Sequence, residues 1–406
     1  ARAMGLLGIS GLTRLRQFGT VHKLLEQYKI NLEDASGFVL KWLLGQQLYA
    51  RAEKTKAQGD YRAAAGALSA ALAAREAAAE VASAGRCRYT LGWCYYRLGK
   101  YEKAARQFED AVTGLKASDS GDAADSAWMA FACYQRLVPD SPRYTTPAIE
   151  VLESIKRDFP THRYARKADF QIAKLQQNAV LPAEAIRTLS KIKPGQTHYL
   201  SARYDICLLL YRQWSGLRDE KKDATAEAAK LRDAVDLYLK AAAKDSDTER
   251  KVKCLVLVVA TATGGSSPDR QLAGAYLAKA APLADALPPS SSQAADYHYR
   301  AMKHAQEADD AATPEKHADW LVRHASGSVY ELSALIASAK AADRAVKSAG
   351  DPQRRKAQEA QEAQERAMEV YGRLAEVLGG GPEVIASKKN ALVAHSKLAY
   401  YASQTG

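Results

Sequence analysis

The longest hydrophobic run in this chain, Leu255 to Val259, falls far short of the roughly 18–20 apolar residues a membrane-crossing helix needs. It is expected to be a buried segment instead. Proline (13) and glycine (25) are few for 406 residues, and almost no stretch alternates apolar with polar side chains. Long alanine-rich stretches take their place, so the reading is an all-α chain. Cysteine is also scarce. Cys87, Cys94, Cys133, Cys207 and Cys254 stand singly inside helical patterns, without a C-x-x-C pair and in odd number, so core packing is their expected role. Cys87 and Cys94 are seven apart, about 10 Å along a helix at 1.5 Å per residue, too far for a disulfide. That spacing leans against an oxidising compartment.

Motifs for chemistry are missing as well. Gly264-Gly265 and Gly379-Gly380-Gly381 lack the following Lys-Ser/Thr of a phosphate loop and read as turns. There is no H-E-x-x-H and no paired Cys/His spacing, and no serine stands in a nucleophile elbow. His298, His304, His317 and His324 are near one another in sequence, but they are expected to be surface or groove histidines. Asp309-Asp310 reads as a solvated turn. An all-α toroid glycosidase would need acidic residues at apolar helix ends, and no such set stands out. The expectation is a chain without catalytic site, cofactor or metal.

What the chain does have is positive charge, +12 net. Residues 1–118 hold eighteen Lys/Arg against ten Asp/Glu, so eight of those twelve charges lie there. Such a balance suits an acidic protein surface, nucleic acid or an anionic membrane face.

The clearest pattern is Arg86 to Val112, RCRYTLGWCYYRLGKYEKAARQFEDAV. Two amphipathic helical stretches are broken by a Gly-Lys-Tyr turn. Small residues (Gly92, Ala104, Ala111) fall where two helices could cross, with Leu91, Tyr95, Tyr101 and Phe108 beside them. Together with Gly99, this order resembles the tetratricopeptide repeat (TPR); Arg88 stands where its early tryptophan would be. The sequence repeats the pattern internally. GDYRAAAGALSAAL aligns with GKYEKAARQFEDAV, placing Tyr61 with Tyr101, Ala64 with Ala104, Leu68 with Phe108 and Ala71 with Ala111. Further copies follow at Ala148/Leu152/Ile155, Ala185/Leu189/Ile192, Ala234/Tyr238/Ala241, Ala273/Leu277/Ala280, Ala318/Val322/Ala325 and Ala367/Tyr371/Leu374. Their leading alanines step by 40, 44, 37, 49, 39, 45 and 49 residues, which implies lengthened helices and inserted turns.

In chain order, residues 1–37 read as an N-terminal helical cap, with Leu12, Leu15, Phe18, Val21, Leu25 and Tyr28 on one face and Arg14, Arg16 and Lys23 off it. A membrane-surface or partner helix is the functional alternative. The chain opens Ala-Arg-Ala without a methionine, so the absence of a signal peptide in it is no evidence of a cytoplasmic home. Residues 38–406 read as the solenoid. Arg75–Glu80 is expected to be a helix overrun, and the charged inserts Leu217–Leu231 and Asp351–Arg366 to be solvated helix extensions held by pairs such as Glu362–Arg366. The phrase RDFPTHRYARKADFQIAKL puts a helix stop and a helix start in succession. It resembles repeats of bacterial envelope TPR proteins such as outer-membrane assembly lipoproteins and the Tol–Pal coordinator. That resemblance implies a periplasmic setting, whereas the unpaired cysteines favour the cytoplasm. LAYYASQTG at the end looks like the first helix of a ninth unit, an open apolar face.

The TPR resemblance also implies a site. The first helix of each pair would line the concave face, with Arg86, Tyr89, Trp93, Tyr96 and Arg97 facing it in the best repeat. Lys167, Phe170 and Lys174 would follow, then Tyr204, Tyr211 and Arg212. Tyr89 and Thr90 stand where the chaperone-binding carboxylate clamp has its polar residues, which argues against that role. The expectation is a right-handed α-solenoid of about eight TPR-like helix pairs, a non-catalytic scaffold holding an acidic or extended segment of another protein. The alternatives are nucleic-acid binding through the basic N-terminal third and, behind it, an all-α toroid enzyme.

Overall fold

The computed structural model describes residues 8–9, 11–12, 18–29, 31–32, 36–265, 267–308, 313–349 and 357–379. All regular structure among them is helical. A first helix, α1 (Phe18–Gln27), precedes eight helix pairs, the number expected. They are α2 (Phe38–Thr55) with α3 (Gln58–Leu72), α4 (Val81–Arg97) with α5 (Tyr101–Leu115), α6 (Ser120–Leu137) with α7 (Thr145–Asp158), and α8 (Ala165–Asn178) with α9 (Pro182–Ser190). Then come α10 (Tyr199–Asp219) with α11 (Thr225–Ala241), α12 (Thr248–Gly264) with α13 (Arg270–Asp285), α14 (Ser292–Glu307) with α15 (Thr313–His324), and α16 (Glu331–Ala349) with α17 (Ala357–Gly379). The chain divides into two compact units, Ala1–Ala202 and Arg203–Gly406. No described helix is long and apolar enough to cross a membrane. Leu15, Arg14 and Arg16 of the expected cap, Asp309-Asp310 and the LAYYASQTG end lie outside the described residues; Val21 and Leu25 are buried against Leu43.

Within the first unit, the small-residue signature decides how closely paired helices approach. On α5, Ala104, Phe108 and Ala111 are fully buried. A Cβ on Gly92 would stand 2.8 Å from the Phe108 ring, so only glycine lets α4 lie over that side chain. The preceding pair uses the same device, since a Cβ on Gly45 would stand 2.5 Å from Leu68, the residue that aligns with Phe108. A third crossing, which the repeat pattern does not contain, sets backbone against backbone. A Cβ on Gly114 would come within 2.9 Å of the Gly85 Cα and the Val81 carbonyl oxygen.

Helix ends follow local chemistry. Asp119 caps α6 by accepting from the Asp122 N–H at 3.0 Å. After α4 the Lys100 N–H returns to the Tyr95 carbonyl at 2.9 Å around Gly99 at φ 71°, the Schellman closure that glycine favours. Two expected extensions are not continuous helix. Arg75–Ala78 is a separate 3-10 turn. The 217–231 insert breaks after Asp219, because the Lys222 N–H bonds back to the Leu217 carbonyl at 2.8 Å and Lys221 takes φ 57°. Of the 351–366 insert, residues 357–366 are helical.

In the second unit the buried set of α11 is Leu231, Val235 and Tyr238, with Ala242 beyond the helix end. Ala234 and Ala241 are only half-buried. An alanine-rich helix satisfies a small-residue pattern in more than one register, and here the larger side chains take the core. On α15, likewise, Leu321 is buried and Val322 only partly so. All five cysteines are buried and free, and burial pushes the thiols of Cys94 and Cys133 up to about 12. Cys254 is raised too, by a hydrogen bond with Cys207 and then by burial.

Candidate partner-binding surface

Helix α4 presents its expected face as a connected row in the first unit. Tyr89 and Trp93 both set their rings edge-on to Phe108, at centroid distances of 5.6 and 5.9 Å. Trp93 meets Tyr96 at 5.5 Å, and Tyr96 meets Tyr101 at 5.3 Å. T-shaped pairs of this kind are favourable beyond their buried area. The Arg97 guanidinium lies 5.8 Å over the Trp93 ring and donates to Glu53 at 3.1 and 3.3 Å. Glu53, on α2, also accepts from Tyr61 Oη at 2.8 Å and Lys56 Nζ at 2.7 Å. Those donors, the lysine first, hold its carboxyl down at about 2. Tyr89, Trp93 and Tyr96 are therefore half-buried: each ring is partly framework and partly exposed. Arg86 reaches the start of the next pair, 3.7 Å from Asp119, the cap of α6.

The next first helix repeats the arrangement. Arg136 donates to Tyr96 Oη at 2.9 Å and lies 5.4 Å from that ring; the hydrogen bond to Tyr96 raises its pKa further. Arg97 and Arg136 occupy the same register, each reaching back to the preceding first helix. Their neighbours say so in the sequence, CYYRL at 94–98 against CYQRL at 133–137, a match sufficient to have identified Arg136. Aligning the glycine-over-core contacts and the buried positions brings Trp42, Tyr89, Trp128 and Phe170 to one register on α2, α4, α6 and α8.

Each of these four rings is covered differently. Trp42 is fully buried beside Phe38. Trp128 stacks under Tyr164 at 4.4 Å, nearly parallel, with Arg163 4.8 Å over the tyrosine. Phe170 stacks under His198 at 4.4 Å, and Lys174 Nζ sits 5.3 Å from the Phe170 ring. Lys167 is half-exposed, one turn before Phe170. Trp128 and Arg136 on α6 are further members of this surface, in the registers of Tyr89 and Arg97, and Tyr164 joins Trp128 from the start of the next pair.

Tyr204, Tyr211 and Arg212 belong to the second unit and form no single cluster there. Tyr204 packs on Tyr238 at 5.9 Å with Arg250 over its ring at 5.1 Å. Tyr211 stacks on Trp214 at 5.5 Å, and Arg212 is exposed.

Two of the four histidines depart from expectation, while His324 is exposed and His304 half-buried. His298 on α14 and His317 on α15 are buried, at 4 and 8% exposure, and their Nδ1 atoms are 2.8 Å apart. Trp320 stacks on His298 at 4.0 Å and Tyr297 stands edge-on to both imidazoles. The two residues are nineteen apart on two helices, so no spacing on one helix signals the contact. Burial lowers the pKa of His298 to about 3, with His317, Lys316 and His324 adding to it, and burial lowers His317 as well. Among the described residues no group of three or more His, Cys, Asp or Glu side chains is placed to hold a metal ion.

No protein-family model matches the chain, and no curated protein matches it. Among solved structures it is similar to the C-terminal part of a TPR repeat-containing protein from Cytophaga hutchinsonii. There the identity is 13%, with 72% of this chain and 99% of that chain covered at a TM-score of 0.46. It is also similar to PilW, a type IV pilus biogenesis factor, at 16% identity, with 62% and 98% covered and a TM-score of 0.35. A Rap protein complexed with competence and sporulation factor gives 11% identity, 92% and 98% coverage and a TM-score of 0.26.

Proposed function

We propose that this chain is a non-catalytic scaffold that holds an acidic or extended segment of another protein against the first-helix face of its TPR-like pairs. The observation that carries the reading is the α4 row, in which Trp93, Tyr96 and Arg97 are fixed by one another and by Phe108, Tyr101 and Glu53, yet stay partly exposed. Tryptophan, tyrosine and arginine dominate binding energy where they are central and ordered, and side chains already held in place lose little entropy on binding. Arg97 and Arg136 supply guanidinium groups for a partner carboxylate, which would take the place of Glu53 or of the Tyr96 hydroxyl. Lys167 and Lys174 extend the cationic character along α8. Residues 1–37 would cap the array and residues 38–406 form it. The likeness of the 157–175 connector to envelope TPR proteins makes a cell-envelope assembly the first setting in which to seek the partner.

The test is capture of partners by the purified chain and by Trp93→Ala/Arg97→Ala, with equal melting temperatures established first. Loss of a captured protein in the double variant is the expected result. Capture unchanged by the double substitution would show that this face is not the site. Salt titration separates the reading from nucleic-acid binding, whose affinity falls steeply with salt in proportion to the phosphates neutralised.

A further inference from the structure

The broken 217–231 insert shapes a feature that the first-helix face does not use. In the second unit, the end of α10, the turn after it, the start of α11 and the α12–α13 connection line a half-open cavity of about 750 Å³. That is within the range of small-molecule sites. Trp214 forms part of its wall, packed so closely on α12 that a Cβ on Gly264 would stand 2.9 Å from the indole. Around the opening stand four cations, Arg218, Lys221, Lys222 and Arg232.

The lining also contains two carboxylates, and both are already engaged. Asp223 accepts from the Thr225 N–H at 3.0 Å and its hydroxyl at 2.6 Å. Asp269 accepts from the Leu272 N–H at 2.9 Å. Lys222 pairs with Glu220 at 2.6 Å and Arg232 with Asp233 at 3.5 Å, both exposed pairs of the kind that contribute little. Arg218 rests 5.6 Å over the Trp214 ring. Among the described residues, no carboxylate stands within ion-pair distance of Arg218 or Lys221. The cavity lining thus combines four cations against two carboxylates, two of those cations without a carboxylate partner, with an aromatic wall and the Ser267 hydroxyl.

From this juxtaposition we infer that the cavity is a binding site for a small phosphate-bearing anion of about nucleotide size, separate from the partner-binding face. Arg218 supplies a planar fork for phosphate oxygens and Lys221 and Lys222 supply point charges. The walls of Ala228, Ala229, Ala262 and Leu272 limit the ligand to what the cavity holds. A free phosphate chain and a nucleotide share this recognition chemistry; an aromatic group on the ligand adds contact with Trp214.

Lys221 offers an unusually clean test. It holds φ 57°, where glycine is at ease and a side chain is strained, so Lys221→Gly removes a cation without loosening the turn. Calorimetric titration of the full chain with ATP, and separately with tripolyphosphate, should show saturable binding of at least one. Lys221→Gly should weaken it roughly tenfold, and Arg218→Gln in addition roughly tenfold more. Tighter binding of ATP than of tripolyphosphate would support a contribution from Trp214, and equal binding would support recognition of the phosphates alone. Trp93→Ala should leave the titration unchanged, which keeps this result independent of the partner-binding face. Absence of saturation by either probe at millimolar concentration, or equal affinity in wild type and the double variant, would overturn the inference.

Discussion

Acidification should destabilise the second unit through the His298–His317 pair, and the size of the effect follows from the geometry. Two Nδ1 atoms 2.8 Å apart can share one hydrogen, so one ring donates and the other accepts. A second proton there would set N–H against N–H in a buried site that already faces Lys316 and His324. The folded pKa of His298, about 3, lies below an unfolded value near 6.5. The unfolded chain therefore binds the proton first. The stabilising contribution is complete above about pH 6.5 and is lost as pH falls toward 3. Between those limits one histidine costs about 1.4 kcal/mol per pH unit, or about 2 kcal/mol between pH 7 and pH 5, and His317, shifted the same way, adds to it. Urea unfolding of the intact chain at both pH values, beside His298→Asn, measures this. Asparagine keeps a polar partner for His317 but does not titrate in that range, so the variant should be the less stable at pH 7 and should lose less on acidification. Parallel pH profiles for the two proteins would refute the reasoning.

Three further outcomes follow from packing and charge. Gly114→Ala puts a Cβ 2.9 Å from the α4 backbone and should destabilise by about 1–3 kcal/mol, whereas Gly66→Ala, in α3 with nothing within 4 Å, should stabilise by about 0.5–1 kcal/mol; thermal melts of the two distinguish a crossing glycine from an incidental one. Phe108→Ala removes a fully buried ring beneath Gly92, Tyr89 and Trp93 and should cost about 3–5 kcal/mol, read by urea denaturation. Glu53 is stabilising in its ionised form, since its folded pKa of about 2 lies below the ordinary carboxylate value. Its contribution should persist through pH 5 and fade between about pH 4.5 and 2, and Glu53→Gln should flatten that part of the acid-denaturation profile.

Much of the fold could be read in the chain because the repeat is written in residue size. Ala64, Leu68 and Ala71, then Ala104, Phe108 and Ala111, are all fully buried, and a helix pair cannot approach closely without such residues at its crossing. The Gly85–Gly114 crossing was hidden because each glycine is unremarkable on its own helix and only the pairing gives it meaning. Alanine itself blurred the register of α11, where Leu231 and Val235 take the core in place of Ala234 and Ala241. On the proposed binding face, Trp93, Tyr96 and Arg97 can be read from one repeat. Arg136 could be read from the CYQRL match to CYYRL, whereas the cover that Tyr164 and His198 place over Trp128 and Phe170 is a tertiary effect. The His298–His317 contact and the cavity beside Trp214 arise the same way, from residues that only folding makes neighbours.

The scaffold reading is tested most directly by site-specific photocrosslinking to the partner. A photoreactive side chain replaces Arg97 or Lys174 on the first helices, or Arg106 or Arg187 on the second. Arg106 and Arg187 are exposed and pair within their own helices, so they serve as outward-facing controls. Adducts are expected from positions 97 and 174, mapping to an acidic or extended segment of the captured protein, and few from 106 and 187. Adducts confined to positions 106 and 187, or spread evenly over all four, would contradict the scaffold reading.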